Sequence, residues 1–297
     1  MSLGISLTQY VIQIITGLGE GAVLFLVASG LTLIFGALRV INFAHGSLFL
    51  LGAYITASIA DKWAFANWNF WLLILIGGIA LAAASIPLEV FFFRPIYNRA
   101  LLTQLLVTFA FVLVITGVVR EVWGNDGRAI TQPPFLKGNV DILEGGVRKV
   151  EFFFMALAII VGILLWAMLY KTGLGRMIRA AVSDPELLGL TGVNIKILFT
   201  GVFVLGVLFA GIAGGAVSLR GFIVPGMAID AIIKAFVIVV IGGLGSLGGA
   251  FIAAMLVGVA SAIGILWVPP AAIAIVFAVL VAVLVLRPQG IMGTRGN

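Results

Sequence analysis

The sequence predicts an all-α, polytopic transmembrane helical bundle, and three observations carry that prediction: 63% of its 297 residues are hydrophobic, 9% are charged, and the apolar residues fall into long runs. A soluble chain of this length has too little interior to hide so much apolar surface. The mean hydropathy of +1.28 agrees. The chain has no cysteine and one histidine, which excludes disulfides, thiol chemistry and a histidine metal cluster, so no cofactor is expected. Its net charge of +6 sits in short segments between apolar runs, where anionic headgroups and membrane topology account for it and a nucleic-acid partner is not needed.

Crossing the hydrocarbon takes about 20 apolar residues as helix. Runs of that kind begin at Tyr10–Phe35, which has no preceding basic residue or small-residue cleavage site and reads as an uncleaved first span. Phe43–Ala60, Phe70–Phe93, Leu102–Val119, Phe152–Tyr170 and Ile197–Leu219 follow, then Ala231–Ile241, Ala250–Trp267 and Ala271–Leu286. Ala231–Ile241 is too short to span alone, and reads as a half-helix or the inner part of a span starting near Phe222. The expectation is about eight spans plus one broken or re-entrant helix, in a single membrane domain over 1–297, since no Pro/Ser-rich linker divides the chain. Arg120–Glu151, with Pro133 and Pro134 and a balance of acidic and basic residues, reads as an extramembrane loop. Basic residues favour a cytoplasmic Lys171–Lys196 by a narrow margin.

Lys171–Lys196, KTGLGRMIRAAVSDPELLGLTGVNIK, is polar yet patterned. Gly175–Val182 puts Met177, Ile178 and Ala181 on one helical side and Arg176 and Arg179 toward the other. Asp184 suits an N-cap, Pro185 the first helical position and Glu186 the first turn, so a second helix starts at Pro185. Leu187, Leu188 and Leu190 give it apolar knobs before Gly192 ends it. Such a segment either presents itself to a partner outside the bilayer or rests as an amphipathic helix on lipid headgroups.

Two interruptions break apolar regions, Gly36–Gly46 (GALRVINFAHG) and Gly242–Gly249 (GGLGSLGG), and suggest two related halves. Irregular backbone at membrane depth is tolerated where protein buries it or water meets it, and paired breaks point to a translocation path. Arg39 is read at an ordinary membrane-surface turn, because a charge at the bilayer centre costs about 2.5–3.5 kcal/mol or more. His45 reads as a helix-start residue bonded to nearby backbone rather than as a proton carrier. Gly243–Gly248 matches GxGxxG but lies between membrane runs with no acidic residue about 20 positions on, so close helix packing explains it better than a dinucleotide. No Walker A sequence occurs, so ATP hydrolysis is not expected of this chain. Glu89, followed closely by Arg94, reads as interfacial; Asp230 and Lys234, at i,i+4 spacing, read as a structural pair. Glu20, between Gly19 and Gly21, has no assigned role.

Gly30–Tyr54, GLTLIFGALRVINFAHGSLFLLGAY, resembles the permeases of branched-chain amino acid ABC transporters, above all in its INFAHG core at Ile41–Gly46. Leu88–Arg99 with its Arg94-Pro95 pair, Gly173–Asn194 and Ala235–Gly258 fit the same family in the same order, so the resemblance covers nearly the whole chain. It implies an inner-membrane permease that pairs with a second homologous permease, binds two cytoplasmic ATPase subunits and receives solute from a periplasmic binding protein. Asp184, Pro185, Glu186, Leu187, Leu188 and Leu190 then form the ATPase-coupling helix, flanked by Arg176 and Arg179. Asn42, His45, Ser47, Gly242, Gly243 and Gly245 would lie near the translocation path. No charged pair is evident there to clamp both the ammonium and the carboxylate of an amino acid. The competing reading is a secondary transporter or channel that works without ATPases. The resemblance leaves the solute open among branched-chain amino acids, other amino acids, amides and urea.

Overall fold

A computed structural model describes residues 6–62, 70–267 and 272–293. The central element is α1 (Leu7–Leu38), a helix of 32 residues and therefore about 48 Å long. Ser6 and Gln9 open it with reciprocal side-chain bonds to each other's backbone N–H, at 3.3 and 2.9 Å, satisfying donors a helix start leaves free. From Gly21 to Ile34 every residue of α1 is buried.

Around it stand α2 (Ala44–Lys62), α3 (Phe70–Leu88), α4 (Leu101–Trp123) and α5 (Lys149–Lys171), then the short α6 (Gly173–Ser183) and α7 (Pro185–Leu190). The chain closes with α8 (Ile195–Val217), α9 (Met227–Gly242), α10 (Leu247–Trp267) and α11 (Ala272–Leu286). The expected apolar runs are helical except at Phe43, Ser218 and Leu219 on their ends, and Ala271 lies outside the described residues. Six helices among the described residues are long and apolar enough to cross a membrane; α2, α9 and α11 are their shorter companions. At 16 residues, α9 is about 24 Å long, short of the roughly 30 Å core. It extends the expected Ala231–Ile241 segment outward to Met227 without reaching Phe222.

Lipid tails are as apolar as leucine, so helices in a bilayer associate through close packing of small residues rather than through a hydrophobic push. Here that packing runs through glycine. A Cβ on Gly17 would fall 2.7 Å from the Cα of Val259, one on Gly30 2.3 Å from the Gly206 carbonyl, and one on Gly52 2.6 Å from the Cα of Gly211. Gly211 in turn meets Gly78, so α8 is clasped between α2 and α3 at a single level. The exposed leucine, isoleucine and phenylalanine side chains of α3, α4, α5 and α11 face outward, as lipid-facing surface should.

Two features depart from plain helix. Pro87 removes a backbone donor near the end of α3, and the chain responds with a π-helical turn at Glu89–Phe93 and one 3₁₀ turn at Arg94–Ile96. The Arg120–Glu151 segment holds a hairpin, β1 (Asn139–Ile142) and β2 (Gly145–Arg148), with Asn139 opposite Arg148 and Ile142 opposite Gly145. Among the described residues the fold is thus all-α with one small sheet. Gly145 packs on Ile12 near the start of α1, while Arg39 just past its end reaches α6. The hairpin and the α6–α7 segment therefore occupy opposite ends of the bundle.

Candidate functional site

The α6–α7 segment is built by its caps. Thr172 accepts a hydrogen bond from the Gly175 N–H at 3.1 Å and opens α6; Asp184 accepts from the Leu187 N–H at 2.9 Å and opens α7 at Pro185. Gly192, at φ 88°, follows its end. Gly175 is required where α6 folds back on α5, because a Cβ there would lie 2.1 Å from the Leu169 carbonyl oxygen. Ile178 and Ala181 are buried and Met177 is half-buried against the core, whereas Arg176 and Arg179 are exposed. Arg179 donates to the Leu169 carbonyl and stacks 5.1 Å from the centre of the Tyr170 ring.

No side chain of α7 is buried. Leu187 is 61% and Leu190 85% exposed, with Asp184, Pro185 and Glu186 beside them on the surface. Leu188 differs: it is half-buried and packs inward against the core. The three leucines, grouped together on sequence, are divided by the structure into two that face out and one that anchors.

The first interruption begins at Arg39, which takes the left-handed conformation at φ 54° and closes α1. Its guanidinium is exposed and donates to the Val182 carbonyl of α6 at 3.0 Å. Asn42, His45 and Ser47 are fully covered instead. Ser47 donates to the Ala44 carbonyl at 2.8 Å. His45, second residue of α2, places Nε2 3.1 Å from the Val27 carbonyl of α1. The Asn42 amide and His45 Nδ1 have no hydrogen-bond partner among the described residues.

The second interruption depends on glycine at two positive-φ positions, Gly243 (98°) and Gly245 (83°). Ser246 then opens α10 by accepting from the Gly249 N–H at 3.1 Å. Helix, not strand, precedes the glycines, so the GxGxxG spacing makes a tight helix–helix connection. Gly242 is packed under Gly249 and Ala250. The residues after α11 return to this place: Ile291 and Met292 donate backbone bonds to the Ile241 and Gly242 carbonyls at 2.8 and 3.0 Å.

The two interruptions meet. A Cβ on Gly36 would lie 3.1 Å from the Cα of Gly245, and a cavity of about 460 Å³ opens beside them, lined by Thr32, Gly36, Ile178, Arg179, Gly245 and Met292 among others. Gly245 is on its wall; Asn42, His45, Ser47, Gly242 and Gly243 are not.

Charged residues form two clusters. Glu89 is fully buried and its carboxylate accepts from Arg94 at 2.8 Å, Tyr97 at 3.1 Å and Thr200 at 2.9 Å. Burial, and then the adjacent Glu89 charge, push the Tyr97 phenol up, so it stays a donor. At the hairpin end, Arg220 joins Glu20 at 2.6 Å and also Glu151, and Arg148 reaches Glu151 at 2.6 Å. Lys234 lies 3.6 Å from Glu20. This overturns the Asp230–Lys234 pairing: Asp230 is exposed and Lys234 turns across to α1. Sequence reasoning missed Arg220. The available signal was Glu20 itself, a carboxylate inside an apolar run that calls for a cation from elsewhere.

A membrane-embedded bundle with a capped knob at one end, tied by Arg39 to two touching helix breaks, has the construction of a transport permease. The chain belongs to the branched-chain amino acid transport system permease component family, matched over residues 13–285, and is a multi-pass protein of the bacterial inner membrane. It is similar to the high-affinity branched-chain amino acid transport system permease protein BraD of Pseudomonas aeruginosa, with 29% identity over 96% of each chain. The corresponding permease LivH of Escherichia coli is 26% identical over 95% of this chain and 94% of its own. A probable LivH of Methanocaldococcus jannaschii is 27% identical, covering 92% and 91%.

Proposed function

We propose that this chain is the membrane-spanning subunit of an ATP-binding-cassette importer for branched-chain or related amino acids. It pairs with a second homologous permease, docks two cytoplasmic ATPase subunits, and takes solute from a periplasmic binding protein; lipid surrounds the rest. The observation that carries this reading is α7: a capped helix that leaves Leu187 and Leu190 in the open while Leu188 anchors it to the bundle. Exposed leucines on a rigid mount suit a partner's apolar groove. ATP-driven closure of the ATPases then moves the knob, and Arg39 passes that motion to the end of α1 and the paired breaks.

A secondary transporter needs a carboxylate free to exchange protons or ions along its path. Glu20 and Glu89 are each held by arginine, which weighs against that alternative. The test is uptake of labelled leucine into vesicles holding the permease pair, the ATPases and the loaded binding protein. Uptake that needs all of them and ATP is expected; equal uptake with this chain alone overturns the proposal.

A further inference from the structure

The cavity of about 460 Å³ beside the two interruptions and a smaller one of about 160 Å³ near the hairpin end differ in charge. Glu20 and Lys234 share the smaller cavity, so its charges offset each other. The larger is walled by α1, the end of α5, α6, the turn at Gly245 and the segment after α11, and among the described residues Arg179 is the one charged side chain on that wall. Arg179 donates to the Leu169 carbonyl and lies over the Tyr170 ring, which leaves further guanidinium donors to spare. It meets no carboxylate among the described residues. Arg39, whose bond to the Val182 carbonyl ends on the same wall, meets none either. Ser183 and Ser246 add hydroxyls there. Positive charge without a counter-ion beside a cavity of this size attracts an anion.

The rest of the lining sets the depth of the cavity in the membrane. Tyr170 stands beside Trp166, with ring centres 6.2 Å apart, and the Lys171 ammonium lies 5.5 Å from the centre of the Trp166 ring. Aromatic and basic residues grouped at a helix end mark the headgroup level. Leu169 and, a turn further in, Leu165 continue the wall along the apolar length of α5. A polar, positive mouth thus leads onto an apolar wall, which is the division a lipid carries between its headgroup and its chains.

We infer that this cavity holds an anionic phospholipid, with its phosphate on Arg179 and an acyl chain along Leu165 and Leu169. The arginine fork matches phosphate geometry, and basic pockets between spans take the headgroups of anionic lipids. A zwitterionic lipid fits less well, because no carboxylate among the described residues lines the wall to receive its ammonium group. The bound lipid touches α5, α6 and the turn at Gly245 together, so it braces the mount of α7 against the second interruption. None of this depends on which solute crosses the membrane.

The chain has no cysteine, so Met292→Cys gives it a single thiol at an exposed position on the cavity wall. In the complete transporter in detergent, labelling of this chain by an uncharged maleimide is timed with phosphatidylglycerol, with phosphatidylcholine of the same chains, or with glycerol 3-phosphate. Phosphatidylglycerol should slow labelling about tenfold, as for a site about 90% filled, and the other two less than about twofold. Added to Met292→Cys, Arg179→Gln should remove the protection, whereas Arg99→Gln, at an exposed position off the cavity wall, should keep it. Equal protection by the two lipids, or none by either, overturns the site whether or not the Arg179→Gln chain folds. Protection by glycerol 3-phosphate equal to that by phosphatidylglycerol makes this a site for soluble anions and overturns the lipid. Protection that survives Arg179→Gln, or disappears with Arg99→Gln, overturns the role given to Arg179.

Discussion

Arg39 and Val182 are 143 positions apart in sequence and 3.0 Å apart in space. That guanidinium-to-carbonyl bond joins the end of α1, the most buried of the candidate spans, to the α6–α7 segment. Motion at α6 therefore has a polar link to the first interruption, in addition to the packing of Ile178 and Ala181.

Removing that link should uncouple the two. Arg39→Ala loses a bond contributing about 1 kcal/mol net, so ATP-driven uptake should fall roughly fivefold while copurification of the ATPases is unchanged. A matching fall in ATPase binding would mean that Arg39 touches the partner instead.

The three leucines should separate in a mutational series. Leu187→Asp and Leu190→Asp place a carboxylate on exposed positions, leaving thermal stability unchanged while ATPase copurification and uptake fall. Leu188→Asp buries part of a charge against the core, which costs several kcal/mol unless it is paired, and should lower the melting temperature as well. Intact copurification in all three variants would show that α7 rests on lipid.

The glycine clasp around α8 should tolerate no side chain. Gly211→Val drives methyls into Gly78 and the Leu81 side chain, and overpacking of this kind costs about 1–3 kcal/mol or more, visible as a lower melting temperature in detergent. Gly201→Ala, also in α8 but with nothing within 4 Å, should be neutral or raise stability by about 0.4–1 kcal/mol.

Orientation is checked by single cysteines. Asn139→Cys in the hairpin should react with an impermeant reagent from the periplasm, and Ser183→Cys at the knob from the cytoplasm. The reverse pattern would invert the chain and remove the docking assignment.

The helices and their caps were legible because each depends on neighbours in sequence: Asp184, Pro185 and Glu186 announce α7 wherever it docks. The hairpin was less legible, since its alternation is only four residues long on each strand and its turn uses Leu143 at a positive φ of 54°. The charge partners were not legible at all. Lys234 has an acidic residue four positions before it, which local rules favour, yet tertiary packing delivers Glu20 from α1, and Arg220 from the turn after α8 completes the cluster. The inward turn of Leu188 likewise depends on where α7 sits against the bundle, which no local pattern records.

The bonds from Ile291 and Met292 to the carbonyls of Ile241 and Gly242 also fix an order of assembly. Both acceptors are buried, and a buried carbonyl needs a donor. During synthesis α9 and α10 enter the membrane well before those donors have left the ribosome, so the break between them is completed last. Newly inserted chains must hold an unfinished joint at the mouth of the larger cavity until the segment after α11 swings back to close it, and a chain stopped at Gly290 would keep that joint open after every span is in place.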